Sequence, residues 1–171
     1  GMLNPETNAG KVFYQSNEKG SSTSDDGTIE YVAESEVEIL RRFWETIPRY
    51  DQFITFNGRS FDCPFLMLRS ALLGIKPTRN LMPYRYSSKG HCDLLEQFTF
   101  YAVARRYNLD FFCKAFGIPT PKDKGFRGLE LGELFRARRY NEIAEYCMGD
   151  VLATAALYRK WDELLNFEKT V

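Results

Sequence analysis

The sequence predicts an α/β protein, a mixed β-sheet flanked by helices, on three observations. Runs of strand formers cluster in the first third, helical periodicities fill the later part, and one strand-to-helix unit joins them between Phe53 and Leu72. A length of 171 residues at 44% hydrophobic content suits one sizeable core and is short for two ordinary domains, so residues 1–171 are read as a single domain.

Residues 1–10 read as irregular, and Gly1 before Met2 as a scar of tag removal. Lys11 to Gln15 and Thr28 to Ala33 read as β-segments on either side of the polar run Ser16 to Gly27, which predicts a hairpin with a mobile tip over 16–27. Val37, Leu40, Phe43, Trp44 and Ile47 then recur at helical period between Ser35 and Pro48, an amphipathic helix for the sheet to pack on. Phe53-Ile54-Thr55-Phe56 reads as a strand that ends at Asn57-Gly58, and Phe61, Phe65, Leu68 and Leu72 mark the helix that follows. Gly74 and Pro77 close that helix, and a loop runs to about His91. Further helix is expected over Leu94 to Phe116 with a break near Asn108, over Glu130 to Arg138, and over Tyr140 to about Phe167.

Charge and cysteine content exclude some classes of function. Lysine plus arginine equal aspartate plus glutamate at 23 each, so no global positive field coats a nucleic acid, and any such contact is local. Basic residues gather at Arg41-Arg42, at Arg105-Arg106, at Lys122, Lys124 and Arg127, and at Arg136, Arg138 and Arg139; each cluster also suits a solvated face. Cys63, Cys92, Cys113 and Cys147 are widely spaced, with His91 the sole histidine, which argues against a zinc site and for reduced thiols. With no membrane span or leader in view, the cytoplasm is the expected location.

Two constellations carry chemistry. Asn57-Gly58-Arg59-Ser60-Phe61-Asp62 lies where a strand gives way to a helix, the place where strand ends and helix amides face one crevice. The same residues also suit a plain turn with Asp62 as a cap. In the last helix Tyr146 and Asp150 stand one turn apart, on the edge of an inward stripe read as Ile143, Cys147, Val151, Thr154, Tyr158, Trp161 and Leu165. A carboxylate there needs a partner, either a cation shared with another acid or a nearby arginine.

In this order the two sites resemble the later motifs of the DEDD-type 3′-5′ exonucleases, in the subtype with tyrosine in the last motif. Asn57, Phe61 and Asp62 match N-x-x-x-F/Y-D, and Tyr146 and Asp150 match Y-x-x-x-D. Together with Ile54-Thr55-Phe56-Asn57-Gly58, His91-Cys92-Asp93-Leu94 and Ile143 to Val151, the match extends over about Glu36 to Trp161 and resembles proteins related to the exonuclease domain of B-family DNA polymerases. The resemblance implies an RNase H-like fold and hydrolysis at the 3′ end of DNA or RNA by a two-metal mechanism with Mg²⁺ or Mn²⁺. It implies Asp62 and Asp150 as metal ligands, Tyr146 as the group that orients the attacking water, and Asn57 and Phe61 as contacts to the terminal nucleotides. Asp93 is a weaker substrate-binding candidate that also suits a helix cap.

One departure stands out. The family's first motif, D-x-E on the first central strand, has no counterpart upstream of Asn57. Asn4-Pro5-Glu6-Thr7 is the nearest text, but Pro5 removes a donor that a central strand needs. The expectation is a chain that begins just after D-x-E, lacks the first central strand, binds a single ion weakly and hydrolyses little or nothing. An open sheet edge beside Phe53 to Phe56 would then be free to pair with a second copy of the chain. The rival reading is a non-catalytic nucleic-acid-binding or assembly module of the same fold.

Overall fold

The computed structural model describes residues 1–16, 18–120 and 131–167. Its strands form two sheets. The larger joins β1 (Met2–Leu3), β2 (Gly10–Gln15), β3 (Gly20–Thr23) and β4 (Ile29–Glu34) in the order β1-β2-β4-β3. The smaller joins β5 (Phe53–Thr55) in parallel to β6 (His91–Asp93), with Phe53 opposite His91 and Thr55 opposite Asp93. Among the described residues no strand pairs with the far edge of β5.

This corrects the hairpin expectation. β2 and β4 run parallel, Gly10 opposite Ile29 through Gln15 opposite Glu34, so no tight turn can connect them. The polar stretch expected to be a mobile tip instead supplies β3, which returns antiparallel on the outer side of β4. Its four residues are all exposed, so the strand lacks the apolar alternation by which strands are read. The start is not wholly irregular either, since Met2–Leu3 pairs antiparallel with Gly10 and Lys11.

Helix α1 (Glu36–Thr46) begins at Ser35, whose side chain accepts from the Glu38 amide, and Glu36 and Glu38 complement its N-terminal dipole. It gives way at Ile47-Pro48-Arg49 to a 3₁₀ turn, because proline withholds the donor an α-helix needs. Helix α2 (Asp62–Leu72) packs on α1: Trp44 Nε1 donates to Ser70 Oγ at 2.7 Å, and Arg69 grips Glu36 with two bonds of 2.7 Å. The helical spacing of Phe61, Phe65, Leu68 and Leu72 is real, yet that stripe faces outward with 60–78% of each residue exposed. Cys63, Leu66 and Met67 face the core in its place. Two apolar stripes lie on this helix, and periodicity alone does not say which one turns inward.

The long region expected over Leu94 to Phe116 is two short helices, α3 (Leu94–Phe98) and α4 (Leu109–Ala115), the second capped by Asn108. Between them Phe100, Tyr101 and Ala102 all have positive φ, of 49°, 58° and 74°. Left-handed residues other than glycine cost roughly 1 kcal/mol each, so three in succession end a helix outright. Helix α5 (Leu131–Arg136) follows, with Glu130, Lys122, Lys124 and Arg127 outside the described residues. Helix α6 (Tyr140–Leu164), at 25 residues, is the longest of the described helices. Its most deeply buried residues are Ala144, Met148, Ala153, Leu157 and Trp161, so of the stripe read from sequence only Trp161 lies on the innermost line. Ala144 and Met148 pack with Val12 and Ile29 of the larger sheet, whereas Ala153, Leu157 and Trp161 pack with Cys92, Leu94 and Cys113. One helix thus serves both sheets, and its buried face drifts along its length. Cys63, Cys92 and Cys113 are buried thiols, as the sequence indicated.

Candidate active site

The turn after β5 is held by a carboxylate from β6. Asp93, only 2% exposed, accepts from the amides of Asn57 at 2.9 Å, Arg59 at 2.8 Å and Leu95 at 3.1 Å. Three charge-assisted bonds to backbone donors freeze the path of the chain from strand to helix. Asp93 thus caps α3 and braces the turn, the capping role the sequence allowed for it. Asn57 takes a left-handed conformation at φ 63°, which asparagine tolerates better than most residues. Gly58 is needed because a Cβ there would lie 2.5–2.7 Å from the Thr55 side chain.

Arg59 follows inward, 7% exposed, and its guanidinium donates to the carbonyls of Pro83 at 2.9 Å and Tyr84 at 3.3 Å. Its Nε lies 3.3 Å from Glu96 Oε2, and Arg85 Nε reaches Glu96 Oε1 at 2.8 Å. Burial raises the Glu96 pKa, against the two guanidinium charges that favour its ionised form. This network straps the loop before β6 onto the turn. His91 locks it from below: its ring stacks on Phe53 at 4.2 Å, Nδ1 faces the Leu81 carbonyl at 3.1 Å, and Nε2 faces Thr55 Oγ1 at 2.8 Å. Both contacts suit a neutral ring that donates from Nδ1 and accepts at Nε2. Burial, with Arg59 adding repulsion, pushes its pKa down to about 4.

Asp62 opens α2 with Phe61 beside it, 71% exposed. The Asp62 side chain reaches solvent, yet protein crowded round its base pushes its pKa up; Asp93 adds like charge, while its own amide and the Gly1 ammonium oppose the shift. Among the described residues no lysine or arginine forms an ion pair with it. It is a carboxylate whose charge is under-compensated, the condition a bound cation relieves.

Tyr146 and Asp150 project from the first half of α6, both half-buried. The Tyr146 pKa is raised by burial first and then by the charges of Asp150 and Asp110. Gly1 lies against α6 between Cys147 and Val151, its nitrogen 3.6 Å from Cys147 Sγ, and the same ammonium acts on Asp62. Among the described residues no group of three or more His, Cys, Asp or Glu side chains is gathered to hold a metal. Two carboxylates, Asp62 and Asp150, are too few donors for a pair of divalent ions.

Sequence reasoning missed Arg59, Glu96 and Arg106. Arg106 donates to Asn57 Oδ1 at 2.7 Å from 49 positions away, and nothing local in sequence marks such a pair. Arg59 carried one signal, its place inside the motif, but an arginine in a turn reads as exposed.

Comparison with known proteins follows this geometry. Residues 15–166 match the profile of a family described as predicted 3′-5′ exonucleases related to the exonuclease domain of PolB. The chain is similar to a DNA polymerase of Pyrococcus glycovorans, 33% identical over 147 residues that cover 76% of this chain and 19% of that protein. It is also similar to DNA polymerase 1 of Sulfurisphaera ohwakuensis, 27% identical over 138 residues, 72% of this chain and 15% of that one. A DNA polymerase of Methanocaldococcus jannaschii is 33% identical over 88 residues, 44% of this chain and 5% of its own length. The chain thus spans under a fifth of the curated relatives it matches.

Proposed function

The chain belongs to the family of predicted 3′-5′ exonucleases related to the exonuclease domain of PolB, and on that premise we propose that it receives the 3′ end of a single-stranded DNA or RNA for phosphodiester hydrolysis. The observation that carries this reading is Asp62 at the head of α2, a carboxylate that no described lysine or arginine pairs, within the residues 15–166 that match the family. In the proposed arrangement Phe61, exposed at the lip, stacks on a terminal base, and Asn57, fixed by Arg106, contacts the strand beside it. Tyr146 keeps its proton at neutral pH, since burial and Asp150 raise its pKa, and so donates a hydrogen bond that orients the attacking water. Asp62 and Asp150 are the proposed ligands of one Mg²⁺ or Mn²⁺, which when bound polarises the phosphate and lowers the pKa of water. With two carboxylates as its donors, this chain alone is expected to cleave slowly.

Incubation of 5′-labelled single-stranded DNA and RNA with Mn²⁺, beside the Asp150→Ala variant, tests the proposal. A ladder that shortens from the 3′ end and vanishes in the variant is expected; identical lanes for both proteins would refute catalysis by this site. The second reading, a nucleic-acid-binding module without catalysis, is favoured by one observation, the lack of a three-donor cluster among the described residues. Binding of the oligonucleotide without the ladder would select it. We further propose that the unpaired edge of β5, with Phe53 and Ile54 half-buried, pairs with a second copy; a monomer in sedimentation equilibrium at high concentration would dismiss this.

A further inference from the structure

Beside the turn, rather than within it, lies a surface that the cleavage chemistry leaves unused. Tyr84 and Tyr86 stand out from the loop between α2 and β6 with 73% and 60% of their surface exposed. Their rings meet edge to face at 5.9 Å, and Tyr86 meets Tyr101 at 5.1 Å, so the three make one continuous aromatic ledge. Tilted contacts of this kind leave ring faces open to a further planar group.

The ledge is built to hold its shape. Arg59 fastens the Tyr84 loop through the carbonyls of Pro83 and Tyr84, so the attachment does not depend on the tyrosine side chains. Tyr101 is fixed in its left-handed conformation by its backbone N–H, which donates to the Glu96 carbonyl at 2.7 Å, and Gln97 donates to its hydroxyl at 3.1 Å. The ledge is also cationic. Arg85 stands between the two exposed tyrosines with 51% of its side chain exposed, and Arg106 is exposed beside the turn. The acid of this network, Glu96, is buried between Arg59 and Arg85, so the charged groups exposed along the ledge, Arg85 and Arg106, are both positive in a chain whose lysines and arginines only equal its acids.

We propose that the Tyr84–Tyr86–Tyr101 ledge is a stacking track for single-stranded nucleic acid, with bases on the rings and Arg85 and Arg106 on the phosphates. Arginines interleaved with open rings match a polymer that carries one planar base per negative charge. The track would hold the nucleotides 5′ of the one at the turn; that direction rests on the exonuclease reading, while binding to the ledge does not.

Fluorescence anisotropy of 5′-labelled dT4 and dT12 in EDTA tests the ledge with cleavage switched off. The wild-type chain is expected to bind dT12 at least tenfold more tightly than dT4, since each stacked base contributes about tenfold. The Tyr84→Ala/Tyr86→Ala pair is expected to lose that advantage, and the Tyr84→Phe/Tyr86→Phe pair to retain it, which separates stacking from misfolding. Equal dT12 affinity in the alanine pair and the wild type, no dT12 binding by the wild type, or binding of a proline-rich peptide in place of dT12 would each overturn the track. If the alanine pair loses dT12 while the Asp150→Ala comparison shows no cleavage, the track stands and the exonuclease reading falls.

Discussion

The Asn57–Asp62 turn and the Tyr146–Asp150 segment each hold a carboxylate of the proposed site, by opposite means. The turn is irregular backbone, and its shape is imposed from outside by Asp93 and Glu96, 34–37 positions along the chain from the Asn57 and Arg59 they contact, with His91 bracing Thr55 just before it. The α6 segment is regular helix, and its shape is imposed by its own hydrogen bonds and by the packing of Ala144 and Met148. The difference teaches where fold and function are coupled. On α6 the chemical groups hang from a backbone shaped by the helix itself, whereas at the turn the scaffold consists of polar groups that sit among the chemical ones.

The sharpest way to break this contrast is Asp93→Ala. It leaves three amides without their acceptor, two of them in the turn, and is expected to cost roughly 4 kcal/mol, read by urea denaturation. A loss below 1 kcal/mol would show that the turn holds its shape without β6.

The next effect is a pH dependence. His91 has a folded pKa near 4 against an ordinary value of 6.5, so the neutral ring belongs to the native state. Its stabilisation is complete above the unfolded value and is lost as the pH falls from 6.5 towards 4, by about 3 kcal/mol in all. Denaturation curves at pH 7 and 4.5 should diverge for the wild type and far less for His91→Asn.

Gly58→Ala is expected to cost about 2 kcal/mol through the clash with Thr55, and Thr55→Ala in the same chain should recover part of it. The smallest effects fall on the chemical groups themselves. Asp150→Ala should change stability by less than about 1 kcal/mol. Asp62→Asn should leave it equal or slightly higher at pH 7, since the raised pKa of Asp62 marks a charge the fold disfavours. Thermal melts of both variants decide whether the comparison holds on its quiet side.

The same contrast governs what could be read from sequence. Asp62, Tyr146 and Asp150 are singled out in sequence by the motifs that carry the family resemblance, and their helical placement, at the head of α2 and one turn apart on α6, is local enough to be legible there. The bounds of α1, with Ser35 and Pro48, were legible for the same reason. What escaped is set by distant partners: the parallel pairing of β2 with β4, the outward turn of the Phe61–Leu72 stripe, and Arg106 on Asn57. Gly20–Thr23 became a strand with no apolar residue to mark it, held by its ladder to β4. The break after α3 was placed at Asn108, where a cap is visible, although the helix had already ended at Phe98 on left-handed residues that no propensity favours.

The central claim is that the turn and the α6 segment form one site, and a Mn²⁺ titration followed by electron paramagnetic resonance tests it most directly. Wild type, Asp62→Asn, Asp150→Ala and the double variant are compared. A shared ion predicts that each single change weakens binding at least tenfold and that the double change weakens it little further. Independent, multiplying losses, or binding indifferent to either residue, would contradict a single site.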